Sequence, residues 1–256
     1  MNDLLRNRKV LYAVVAVVAI AVAGALIGVS LSGGGKKAAS TAITTTAAGT
    51  GTTATGTGGG LPRIRGIRET TSLFRGVPQR LNELGNPKAP VTMVEFADLQ
   101  CPFCREYTLS ALPSLVTEYV RPGKAKFVFS GMHFIGPDSE KALRAVYAAG
   151  LQHRLWQYLD LLYKSQGAEN SGWVTDDLLR SIGASIPGFD TKKMLADMGS
   201  EEVTNAIAVS DQQAQSASVS STPTFFAGKT GGTLEHVNVT ALTPEAFRPT
   251  LDALTG

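Results

Sequence analysis

The chain has 256 residues, 43% of them hydrophobic, and a formal net charge of +3. The charge is unevenly spread: residues 1–60 carry five basic side chains against Asp3 alone, a net of +4, whereas residues 61–256 carry 19 basic and 20 acidic ones. This balance excludes a globally basic nucleic-acid binder, and two cysteines three residues apart, Cys101 and Cys104, exclude a disulfide-stapled scaffold.

In chain order, residues 1–9 read as a short cytoplasmic N-terminus. Val10 to Leu31 is a run of 22 uncharged residues. As a helix it would extend about 33 Å, enough to cross a hydrocarbon core of about 30 Å. Arg6, Arg8 and Lys9 precede it and Lys36 and Lys37 follow, a bias that places the N-terminus in the cytoplasm and exports the rest. The competing reading is a cleavable signal peptide with Ala21-Val22-Ala23 as its cleavage site, although such apolar regions usually run to only about 7–15 residues. Residues 32–60 are almost wholly Ser, Gly, Ala and Thr. They read as a disordered tether with a root-mean-square reach of roughly 30 Å.

Residues 61–90 form an N-terminal extension punctuated by Pro62, Pro78, Pro87 and Pro90. Its Arg63, Arg65, Arg68, Arg75 and Arg80 are read either as a solvated linker edge or as a contact for anionic lipid headgroups. The folded domain spans 91–256. Val91–Phe96 is a buried strand, and Cys101–Val120 a helix that tolerates Pro102 in its first turn but is kinked or broken by Pro113. A second strand, Lys124–Phe129, follows the turn at Pro122-Gly123. Residues 139–217 are mostly helical, with Leu151, Leu155, Leu159 and Leu162 on one helical stripe. Helix starts stand at Thr175, Asp190 and Ser200, and Gly167–Gly172 and Pro187-Gly188 are breaks. Thr224–Ala227 and Leu234–Val237 return to strand around a turn at Gly228–Gly232. A last helix is capped by Thr243 and buries Phe247, Leu251 and Leu254. The order is β-α-β, a helical block, then β-β-α.

Cys101-Pro102-Phe103-Cys104 stands where the first strand gives way to a helix. A helix N-terminus stabilises a thiolate through its free N–H groups and its dipole. Cys101, partly exposed, is thus placed to exchange with a partner thiol, and Cys104, one turn deeper, to resolve the mixed disulfide. A zinc half-site would need two more ligands, and His133, His153 and His236 are scattered. A disulfide across one helical turn would staple almost nothing. Glu95 is the one ionisable residue inside the apolar strand. If buried beneath the cysteines it has a raised pKa and can accept the resolving cysteine's proton; at a sheet edge it would simply reach water. Asp98 is nearer but is expected in the loop. Thr222-Pro223 opens a short apolar strand, the setting in which an X–Pro bond can be cis.

Together, Val94-Glu95-Phe96, Cys101-Pro102-Phe103-Cys104, and Thr222-Pro223-Thr224-Phe225 after a helical block resemble the DsbA family of the thioredoxin superfamily. Leu84-Gly85-Asn86-Pro87-Lys88-Ala89-Pro90 is also typical of its membrane-anchored and secreted bacterial members. The resemblance covers about residues 77–254. It implies an α/β thioredoxin fold with a helical insertion at about 138–215, a cis Pro223 facing the cysteines, and Thr222 offering its backbone to a client strand. It further implies that Glu95 is the family's buried acid and that exported client proteins exchange disulfides with the chain. A membrane quinone-linked enzyme would be the reoxidant. The best-known oxidases of the family carry His beside the second cysteine, and Phe103 stands there instead. The expectation is a monomeric oxidoreductase that uses no metal or organic cofactor and binds no nucleic acid; a reductase or isomerase on the same fold, or a tethered binding module without redox turnover, are the alternatives.

Overall fold

The computed structural model describes residues 61–256; the apolar segment 10–31 and the tether 32–60 lie outside the described residues. No helix among the described residues is long and apolar enough to cross a membrane.

Helix α1 spans Ile67–Phe74 and turns Thr70 and Phe74 inward. Two short strands, β1 (Gln79–Arg80) and β2 (Glu83–Leu84), follow as a hairpin. The sequence reading gave these residues no strand, because two-residue strands are too short to show alternation. β3 (Val91–Asp98) leads into α2 (Pro102–Ser110) and α3 (Leu112–Leu115), then a π-helical turn at Val116–Val120 and β4 (Ala125–Met132). The expected break at Pro113 lies between α2 and α3, since proline lacks the N–H that would continue the ladder.

Five helices make the insertion: α4 (Pro137–Gly150), α5 (Leu155–Lys164), α6 (Asp176–Ser185), α7 (Thr191–Asp197) and α8 (Glu201–Ser216). Thr175, Asp190 and Ser200 cap α6, α7 and α8, accepting from the N–H groups of Leu178, Lys193 and Val203. The stripe through Leu151 and Leu155 is divided: α4 ends, His153 turns to φ 57, and α5 starts at Leu155. β5 (Thr224–Lys229), β6 (Glu235–His236) and α9 (Pro244–Thr255) close the chain. Thr243 occupies the cap position of α9, but its side chain does not accept from the helix backbone.

The sheet order is β1-β2-β4-β3-β5-β6, with β3 and β4 parallel and the other pairs antiparallel. β3 is therefore central, and Glu95 pairs in register with Phe129 and Phe225. Residues directly opposite share a sheet face. On that face Phe225 meets Tyr107 of α2 at 4.6 Å between ring centroids and Phe247 of α9 at 4.9 Å. This aromatic cluster fixes α2, and so the first cysteine, against the C-terminal end of β3. α8 lies along the other face, beside Val94, Phe96 and Phe226.

Candidate active site

Beyond Asp98 the chain turns tightly, with the Cys101 N–H donating to the Asp98 carbonyl at 3.0 Å. Cys101 takes the N-cap position of α2 in an extended conformation, and Pro102 occupies the first turn, where its missing N–H leaves nothing unsatisfied. The sulfur thus stands over free N–H groups at a helix end with no acidic residue in its first turn.

Across from it, the Thr222–Pro223 peptide bond is cis. The Cys101 thiol donates to the Thr222 carbonyl at 3.4 Å. The sequence predicts a partly exposed Cys101; the residue is only 4% exposed, because the loop at Thr222 lies over the sulfur. The cover is thin. Pro102 is exposed and Phe103 is 60% exposed, so the site opens on an apolar rim.

Electrostatics separates the two thiols. Cys101 is pulled from the ordinary 9.0 down to about 6, chiefly by a hydrogen bond from the Cys104 thiol. Burial opposes the shift, and the Thr222 side chain and the N–H groups of Cys104 and Phe103 add to it. Cys104 is fully buried, and burial first, then the hydrogen bond to Cys101 and the charges of Glu95 and Cys101, push its thiol well up.

Glu95 is 3% exposed and flanked by strands on both sides, which removes the sheet-edge alternative. Its Oε1 has no hydrogen-bond partner. Burial pushes its carboxyl well above the usual range, and the nearby charge of Cys101 raises it further. A buried carboxyl without a partner persists as the neutral acid. Its charge, when it ionises, acts on the buried Cys104 thiol.

Asp98 departs from the loop expected for it. It ends β3 opposite Met132 and is fully buried. Oδ1 accepts from the Gln100 N–H at 2.9 Å and the Ser139 hydroxyl at 2.6 Å, and Oδ2 from the Ile135 N–H at 3.2 Å. These bonds commit its oxygens to structure rather than to proton transfer.

Several residues around this carboxylate escape sequence reasoning. The Gln100 side chain donates to Ser139 at 3.0 Å and to Asn170 Oδ1 at 3.2 Å, and accepts from the Asn170 N–H at 2.6 Å. Gln166 Nε2 donates to the carbonyls of Leu99 at 2.9 Å and Cys101 at 3.2 Å. Tyr163 donates to the Asp98 carbonyl at 3.2 Å. All bridge the helical insertion to the turn before Cys101, across separations that no motif spacing reveals. Among the described residues, no three His, Cys, Asp or Glu groups gather into a metal site.

Comparisons with known proteins place the fold. The family model described as Thioredoxin matches residues 80–253. A probable disulfide bond formation protein D from Bacillus cereus is 33% identical over 146 residues, covering 56% of this chain and 68% of the relative. The crystal structure of oxidised BdbD from Bacillus subtilis shares the fold with a TM-score of 0.59 at 21% identity, over 70% of this chain and 97% of that one. Chlamydia trachomatis DsbA shares it with a TM-score of 0.57 at 19% identity, over 68% of this chain and 91% of that one. The chain therefore belongs to the thioredoxin family, as a thiol–disulfide oxidoreductase with the fold of the DsbA structures.

Proposed function

We propose that Cys101 and Cys104 are the redox pair of an oxidant for exported proteins, held at the membrane by residues 10–31. One observation carries this reading: a thiol lowered to about 6 at a helix N-terminus, backed by a buried thiol pushed the other way. A stabilised Cys101 thiolate favours the reduced protein, and a pair whose reduced form is favoured takes electrons from its clients.

In the forward step a client thiolate attacks Sγ of Cys101 in the oxidised pair. The Cys101–Cys104 bond breaks, a client–Cys101 disulfide forms, and Cys104 leaves with the electron pair. The neutral Glu95 carboxyl supplies the proton that the buried Cys104 sulfur needs. A second thiolate of the same client then attacks the client sulfur that is bonded to Cys101 in the mixed disulfide. Cys101 departs as a thiolate, the client gains a disulfide, and the pair gains two electrons. During attack the client backbone pairs with Thr222 in the manner of an added strand, while Pro102, Phe103 and Pro223 shape the contact. Reoxidation returns the two electrons to a membrane quinone-linked enzyme. The chain acts as a monomer on clients with free thiols, without metal or organic cofactor.

Two measurements test this. Titration of the pair against glutathione should give a potential more oxidising than that of cytosolic thioredoxins, about −270 mV; a more reducing value transfers the reading to a reductase. Cys104→Ser should accumulate mixed disulfides through Cys101, and Cys101→Ser should form none. A Cys104→Ser protein without adducts would reverse the assigned roles.

A further inference from the structure

The arginine-rich stretch has no part in the redox chemistry, yet its placement is distinctive. Residues 61–80 hold five arginines against Glu69, a net of +4, while residues 81–256 hold 14 basic and 19 acidic residues, a net of −5. Every ion pair among the described residues lies between residues 83 and 248. Arg63, Arg65, Arg68, Arg75 and Arg80 are all exposed, and none has an ion-pair partner among the described residues. Eight cationic side chains elsewhere are paired with carboxylates in place, whereas these five arginines, close together in the chain, are left open.

The structure gathers Arg63, Arg65 and Arg68 on one side. α1 buries Thr70 and Phe74 and turns Arg68, Glu69, Ser72 and Arg75 outward. A shallow hollow lined by Arg63, Arg65, Arg68 and Glu69 adjoins a second one lined by Arg68, Glu69, Thr117 and Arg121. Arg121 is itself exposed and donates to the carbonyls of Ser72, Leu73 and Arg75, which adds a further positive charge at the end of α1. Leu61, an exposed apolar side chain, precedes the group. Glu69 is the one carboxylate among them.

We propose that this face docks on the anionic surface of a lipid bilayer. The inference rests on the membrane-anchored reading above, because residue 61 continues the chain from the apolar run and its tether. Unpaired arginines beside an apolar side chain suit the headgroup region, and anionic lipid provides the missing counter-charge. The docked face also sets where the redox pair stands. α1 is tied to α5 by Lys164, which bonds Thr70 at 2.8 Å and Asp160 at 2.6 Å. Just past that end of α5, Gln166 holds the Cys101 carbonyl. Docking would thus hold the cysteine pair at a fixed height above the membrane.

The test uses the full chain in nanodiscs of phosphatidylcholine, with or without phosphatidylglycerol, and reads amide hydrogen exchange at residues 63–75. Exchange should slow at least severalfold in the anionic discs only, and recover in high salt and in the variant R63E/R65E/R68E. Insulin reduction by that variant in detergent should match the parent, which separates docking from folding. Equal exchange in both lipids, or slowing that survives the charge reversal, would overturn the proposal. A chain that does not co-purify with nanodiscs refutes the anchor instead. It is then mixed with vesicles, where salt-sensitive sedimentation with phosphatidylglycerol, weakened on the order of 100-fold by the variant, upholds the docking face and its absence rejects it.

Discussion

Protonating Cys101 should weaken the reduced protein by an amount fixed by its surroundings. The drop from the ordinary 9.0 to about 6 corresponds to about 4 kcal/mol at about 1.36 kcal/mol per unit. The sign follows from the lowered value: the stabilisation is complete above the unfolded thiol's pKa and is lost as pH falls through about 6. At pH 7 about 1.4 kcal/mol of it is expressed. The oxidised protein has no titrating thiol, so the pH-dependent part of the reduced-minus-oxidised stability reports the sulfur together with the Glu95 carboxyl that its charge raises. Urea unfolding of both forms over a pH series measures it, and the pH dependence of Cys101 alkylation gives the midpoint directly. The midpoint should lie at about 6, and Cys104→Ala, which removes the largest stabilising hydrogen bond, should move it upward. A midpoint at the ordinary thiol value, with a stability difference that stays flat with pH, would refute the electrostatic account.

Three further perturbations follow from the packing. Glu95→Leu removes a buried carboxyl whose Oε1 is unpartnered; it should raise the free energy of unfolding by about 1–3 kcal/mol while slowing release of Cys104 in stopped-flow client oxidation. A loss of stability, or unchanged kinetics, contradicts the proton-transfer role. Asp98→Asn leaves the Ser139, Gln100 and Ile135 donors sharing a poorer acceptor; urea denaturation should show a cost of about 1.5–3 kcal/mol. Phe225→Ala opens the cluster with Tyr107 and Phe247 and should cost about 3–5 kcal/mol, with a shift in the Cys101 alkylation midpoint as α2 loosens.

Legibility in the sequence tracked the range of the interactions. Caps at Thr175, Asp190 and Ser200 were readable because each bond spans three residues. β3 was readable because a mostly apolar run, interrupted only by Thr92 and Glu95 before Asp98, marks a strand covered on both faces. The placing of Cys101 and Cys104 where strand gives way to helix was readable because one helical turn holds both. The burial of Cys101 was not, because the Thr222 carbonyl that covers it is 121 residues away. Asp98 was misplaced for the same reason: a carboxylate three residues before the motif looks like loop until donors at 135 and 139 arrive from another element. The hairpin of β1 and β2 has too few residues to carry a period, and pairing with β4 creates it.

The cross-ties from Ser139, Gln166 and Asn170 to the turn at 98–101 have a kinetic meaning. A catalytic turn on the rim of a sheet ordinarily opens by itself, on a scale set by local fluctuation. Here that opening must first release two separate segments of the insertion, the start of α4 and the connection from α5 to α6, so the turn shares their cooperativity. The helical block acts less as an appendage than as a clamp, and the lifetime of the poised sulfur is coupled to the lifetime of helices far from it in sequence.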